Sequence, residues 1–174
     1  MSSSEGSAEQ TRPDWPSVEL DSVRRLRVLA TAGGHRLFEE RVLPGSFDQV
    51  WSVAADLEGE LPGFISGLRS FSVSPAVPGS DRLSAVATSA IGHREHFDIV
   101  LRPGWCLMQS SAVVGGMAAV PDPDGVRFAL FGGLRLPGTQ VVRQLFPAAV
   151  KRKGLVMMDR LEHRVRAKIA AETA

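Results

Sequence analysis

The residues best placed to do chemistry gather in one short run, His93, Arg94, Glu95 and His96, with Cys106, Gln109, Ser110 and Ser111 a little farther on. On an extended strand alternate side chains share a face, so His93 and Glu95 point one way and His96 the other. A carboxylate drawn out of water has its pKa raised and can serve as acid, base or hydrogen-bond partner. Glu95, with His93 beside it, is therefore the candidate for proton transfer. The same three residues do not make a metal site, because the two imidazoles leave opposite faces and no third ligand accompanies them. No metal and no other cofactor is expected. Gln109 and either Ser110 or Ser111 can offer hydrogen bonds from the next strand. Cys106 has no readable His and acid partner, and it reads as a small, inert core residue.

Around these residues the chain is organised by period and punctuation. From Arg69 onward, short runs of alternating character are split by turn signals at Pro78 to Ser80, Ile91 and Gly92, Pro103 and Gly104, Gly115 and Gly116, and Asp122 to Gly125. Such spacing predicts six strands joined as antiparallel hairpins. In His93 to Arg102, Phe97, Ile99 and Leu101 fall on the core face, while Arg94, His96, Asp98 and Arg102 face water. By the same parity Val126, Phe128, Leu130 and Leu134 turn inward.

A seventh strand, His35 to Leu43, comes first. Pro44 and Gly45 end it, and Ser46 with Gln49 forms a capping box for a helix whose Phe47, Val50, Trp51 and Ala54 share one buried face. Gly59 and Pro62 bound a second short helix, which Gly67 ends. After Pro137 and Gly138 a short helix over Thr139 to Leu145 precedes a long one opened by Pro147. The long helix runs to about Ala171, with Leu155, Met158, Leu161, Val165 and Ile169 as its apolar stripe. His163 lies one turn after Asp159 and reads as its surface partner. Lys151, Arg152 and Lys153 read as a solvated helix face. Upstream, residues 1–20 carry four acidic groups against one Arg and read as a disordered acidic tail, with Trp15 as a local anchor. Residues 21–34, with their weak alternation in VRRLRVLAT, read as an added strand or arm.

Composition sets outer limits. The chain has 174 residues, 44% hydrophobic and 22% charged, which fits one domain with a real core. A net charge of +1 and no basic run interleaved with aromatics argue against nucleic acid as a partner. One Cys excludes an internal disulfide, and the first residues lack the basic start and apolar run of a signal peptide. No apolar run approaches the roughly 18 residues that span a bilayer. The expectation is a cytoplasmic protein without integral membrane association.

The order strand, two helices, six strands, long helix, opened by LPGSFDQVWSVAADLEGELPGF, resembles the START-like helix-grip superfamily, also called SRPBCC or polyketide cyclase and dehydrase-like. The resemblance covers about residues 35–170. It rests on Val50 and Trp51 followed by Asp56, Leu57, Leu61 and Pro62, on Arg102-Pro103-Gly104-Trp105, and on Gly125-Val126-Arg127-Phe128. It implies an α+β fold: a seven-stranded curved antiparallel sheet wrapped around a long C-terminal helix, with two short helices after the first strand. It also implies an elongated cavity for a lipid, sterol, polyketide or similar hydrophobic small molecule.

On that scaffold the cavity walls are expected from Trp51, Phe64 and Leu68 in the helical segment. The strands are expected to supply Phe71, Leu83, Ala85, Glu95, Phe97, Ile99, Leu101, Gln109, Phe128 and Leu130, and the long helix Leu155 and Met158. The aromatase and cyclase branch carries a pocket Arg and Tyr. Here those positions fall on Leu101 and Leu68, with Arg102 one register away, and the chain has no Tyr. The resemblance therefore implies binding, carriage or sequestration of a hydrophobic natural product or lipid, with aromatase or cyclase chemistry through Glu95 or His93 as the alternative. Some members of the superfamily accompany enediyne pathways and give up hydrogen from a backbone glycine. Gly115, Gly116, Gly132 and Gly133 would be the candidates for that role, although turn and bulge glycines are the simpler reading.

Overall fold

The computed structural model describes residues 19–34, 37–75, 79–134 and 147–173. Seven strands form one antiparallel sheet: β1 (Leu37–Leu43), β2 (Leu68–Pro75), β3 (Arg82–Ser89), β4 (Arg94–Arg102), β5 (Trp105–Gln109), β6 (Val113–Asp122) and β7 (Gly125–Leu134). Their order is β1-β7-β6-β5-β4-β3-β2, so every neighbour but one is a hairpin partner, and β1 closes on the last strand. A helix precedes the sheet, α1 (Ser22–Ala32). Two short helices, α2 (Phe47–Ala55) and α3 (Leu61–Phe64), follow β1, and the long α4 (Pro147–Thr173) lies against the sheet's inner face. This is the α+β helix-grip architecture expected from the order of elements.

The capping box forms as its residues predict: Ser46 Oγ accepts from the Gln49 N–H at 3.3 Å and Gln49 Oε1 accepts from the Ser46 N–H at 2.9 Å. With α2 started there, Val50, Trp51 and Ala54 enter the core, and Phe47 stacks on Trp51 at its edge. Polar contacts hold α4 along its length. Arg41 donates to both Asp159 and Glu162 at 2.8 Å, Arg160 donates to Ser66 at 2.7 Å, and Gln49 donates to Glu172 at 2.7 Å. Arg164 pairs with Glu60.

Four expectations need correction. Residues Ser22–Ala32 are the helix α1 and not a strand or arm. Asp21 caps it, accepting from the Arg24 N–H at 2.8 Å, and Val23, Leu26 and Ala30 recur at helical spacing on its buried side. They pack on the outer face of β6 and β7, against Ala118, Ala129 and Phe131. So short a run, with so short a stripe, reads either way until that second face of the sheet is known.

Gly115 and Gly116 do not turn the chain; they lie inside β6. The turn is at 110–112, where Ser110 Oγ accepts from the N–H groups of Ala112 and Val113 at 3.2 and 3.0 Å, a local hydroxyl-to-backbone turn of the kind serine favours. On α4, Leu155 is 39% exposed while Met158, Leu161 and Val165 are buried. The stripe starts instead at Gly154, where a Cβ would meet Glu39 Cγ at 2.6 Å, so the missing side chain is what lets the helix lie on β1. Finally, Asp159 pairs with Arg41 and not with His163, which is exposed. The predicted helix over Thr139 to Leu145, residue His35 and residues 1–18 lie outside the described residues.

Candidate ligand cavity

Inward positions of the sheet divide between two uses. Toward one end Ala85, Ile99, Cys106, Ala119, Val126 and Phe128 are filled by Trp51, Met158, Leu161 and Val165 into a solid core. Toward the other end the filling stops and leaves a cavity of about 400 Å³. Its walls come from α3 and the segment after it (Leu61, Phe64, Ile65), from β2 to β4 (Leu68, Phe71, Ala87, Phe97), from β5 and β6 (Met108, Val113, Met117), from β1 and β7 (Leu37, Leu130, Leu134), and from α4 (Lys153, Met157). Phe71 and Phe97 meet with ring centroids 5.6 Å apart at 56°, forming one aromatic side.

The space exists because β6 and β7 withhold side chains there. Gly115 pairs in register with Gly132, and Gly116 and Gly133 also border the cavity. Neither Gly115 nor Gly132 has a positive φ, so their backbone suits any residue. Neither is crowded: a Cβ would come no nearer than 3.4 Å to a neighbour at Gly115 and 3.9 Å at Gly132. Gly116 differs. A Cβ there would meet Phe131 Cε1 at 2.6 Å and Leu26 Cδ1 at 3.0 Å, so that glycine serves the packing of α1 on the other face.

Of the residues expected to line a cavity, Phe64, Leu68, Phe71, Phe97 and Leu130 do. Trp51, Ala85, Ile99, Phe128 and Met158 belong to the solid core, with Leu83 and Leu101 packed at its edge. Leu155 is exposed, and Gln109 follows the outer parity of Trp105 and Leu107 and is exposed too. Strand parity chose the face correctly in most of these cases. It carries no information about which half of that face stays unfilled, and so it misses Ala87, Met108 and Val113; Lys153 and Met157 of α4 lie off the apolar stripe that marks the helix's buried side. The paired glycines inside apolar strand-like runs were the available signal, since glycine in a strand marks a close approach or missing packing.

Glu95 is not one of the cavity walls. Its carboxylate accepts from Ser111 Oγ at 2.8 Å, and His93 Nε2 stands 3.4 Å from its second oxygen. Hydrogen bonds from Ser110 first and Ser111 next hold its pKa below the usual carboxylate range, the reverse of the rise expected from burial. Glu95 thus fastens the β5–β6 turn, and it is poorly suited to carry a proton near neutral pH. Arg102, the alternative pocket arginine, is exposed and pairs with Asp81. Cys106 is fully buried, and burial pushes its thiol pKa up to about 12. Among the described residues no three His, Cys, Asp or Glu side chains gather as metal ligands, and no helix is long and apolar enough to cross a membrane.

No protein-family model matches the sequence, and no curated protein matches it. Solved structures do match in shape. TTHA0849 from Thermus thermophilus is 19% identical with a TM-score of 0.56, over 75% of this chain and 97% of that one. StfQ, a di-domain ARO/CYC from the steffimycin biosynthetic pathway, is 12% identical with a TM-score of 0.58, over 76% of this chain and 51% of its own. KanY is 12% identical with a TM-score of 0.56, over 75% of this chain and 96% of its own. Likeness at such identities speaks for architecture alone, and with the strand order and the long gripping helix it leads to one assignment: the chain has the helix-grip fold.

Proposed function

We propose that this protein binds a hydrophobic small molecule, of polyketide-like or lipid-like chemistry, and carries or sequesters it. The observation that carries this reading is the cavity itself, with Gly115 and Gly132 bare at its floor although neither backbone geometry nor neighbouring atoms require glycine. A dry, unrelaxed void of about 400 Å³ would cost about 10 kcal/mol at the rate found for core truncations. That is as large as the whole stability of an ordinary domain, which argues against a dry, empty space. Apolar walls favour ligand, since each Å² of apolar surface taken from water returns about 25 cal/mol.

A catalytic reading, cyclisation of a poly-β-ketone, has less support. Among the described wall residues there is no carboxylate, imidazole or hydroxyl, and Glu95 is occupied in a turn. Glu95→Gln separates the two readings: a cyclase using it would lose turnover, whereas a binder keeps saturable affinity and makes no product. A narrower form of the binding reading is self-protection against a ligand that is activated to a carbon radical. The radical would take a hydrogen atom from a glycine Cα on the cavity floor, becoming quenched and leaving a glycyl radical that dioxygen converts to chain cleavage. Fragments ending at 115, 116, 132 or 133 after exposure to such a compound would support it, and an intact chain would exclude it.

The direct test of binding is a thermal-shift panel of polycyclic and lipid-like compounds. A ligand at a hundredfold excess over its Kd should raise Tm by about 5 to 10 °C for a chain of this size. No response to any member of the panel would overturn the reading.

A further inference from the structure

Among the described residues that wall the cavity, Lys153 alone is charged; the rest are apolar or glycine. It stands on the first turns of α4, one residue before Gly154, where close contact with Glu39 seats the helix on β1. Met157, one turn on, lines the same cavity. Two other basic groups of α4 are spent on protein acceptors, Arg160 on Ser66 and Arg164 on Glu60. Lys153 has no ion-pair partner among the described residues, although the same helix carries Asp159 and Glu162, which are taken by Arg41 and Arg166. Its aliphatic stem can extend the apolar wall while the ammonium stays at the water boundary.

Resting on the cavity being a ligand site, we propose that Lys153 makes it selective for amphipathic ligands, with an apolar body in the cavity and a carboxylate at its mouth. The geometry asks for that division. A ligand charged along its length would leave its charges unpaired among Phe64, Phe71, Phe97 and Leu130, which is costly. A wholly apolar ligand would leave Lys153 no better partnered than water leaves it. A carboxylate at one end gains a charge-assisted hydrogen bond and desolvates nothing deep in the protein.

The test uses the full chain and the neutral dye Nile red, displaced by dodecanoate or by dodecan-1-ol below their aggregation limits, near neutral pH. Dodecanoate should bind more tightly than the alcohol. Lys153→Gln should weaken dodecanoate about fivefold, as for a partly exposed ion pair, and leave dodecan-1-ol unchanged. Lys153→Arg should retain the preference, and Lys151→Gln, which removes the same charge away from the walls, should leave both ligands unchanged. Equal losses in Lys153→Gln and Lys151→Gln would assign the effect to overall charge and overturn the proposal. An alcohol that binds as well as the carboxylate would also overturn it while leaving the ligand site standing. Failure of the dye and of both ligands to bind would remove the ligand site and the proposal together.

Discussion

Gly115 and Gly132 face each other in register across β6 and β7, and together they leave part of the inner sheet without a side chain. The protein gives up stability for that space, because glycine inside a strand is worse than alanine by roughly 0.5 to 1 kcal/mol. Gly132→Ala should therefore raise Tm by about 1 to 4 °C, as followed by circular dichroism. Gly132→Leu should fill the cavity and weaken Nile red by roughly tenfold or more. A leucine variant that keeps full dye affinity would place the dye elsewhere.

The two candidate positions of the α4 stripe should separate in a urea titration. Met158 is 1% exposed and Leu155 is 39% exposed. Met158→Ala is expected to cost about 2 to 5 kcal/mol, the range for emptying a packed site. Leu155→Ala should stay within about 0.5 kcal/mol of the parent.

Stability should fall on the acid side with a recognisable contribution from α4. Arg166 and then Arg41 hold Glu162 below the usual carboxylate range. A carboxylate whose pKa is lower folded than unfolded stabilises the fold above its unfolded value, near 4.3. That contribution is lost as pH falls through the folded value. Glu162→Gln should lower stability near neutral pH and flatten the decline below about pH 4.3, measured by chemical denaturation across pH.

Cys106 offers a probe of opening. Its thiol is fully buried and its pKa is pushed up to about 12, so the reactive thiolate is scarce as well as shielded. Reaction with an aromatic disulfide reagent should be slow in the native protein and should follow the population of opened states, rising in Met158→Ala in step with its lost stability. Rapid stoichiometric reaction in the untreated protein would contradict this burial.

Helix α1 should depend on its cap. Asp21 accepts from the Arg24 N–H and also pairs with Arg127 of β7 at 2.6 Å. Asp21→Ala should cost about 1 kcal/mol through the lost cap, with a further loss from the ion pair, whereas Asp21→Asn should keep the cap and lose only the pair. Urea midpoints of the three proteins resolve the two parts.

Much of the architecture is legible in the sequence, for local reasons. The capping box at Ser46 and Gln49, the alternation through Phe97 and Ile99 and the unbroken helical period after Pro147 each depend on neighbours in sequence. Strand parity selects the inward face for Phe71, Phe97 and Leu130, while Phe64 and Leu68 are placed by the resembled scaffold. What needed the tertiary structure was everything that depends on a second surface. Val23, Leu26 and Ala30 make a helix because β6 and β7 present an apolar outer face, Ala118, Ala129 and Phe131, to them. Gly154 sets the phase of α4 because Glu39 lies beneath it. Glu95 fastens a turn because that turn falls at Ser110 rather than at Gly115. The cavity itself is a difference between the volume the elements enclose and the volume their side chains fill. Residue types report the second quantity, and only the packed arrangement of the helices over the sheet sets the first.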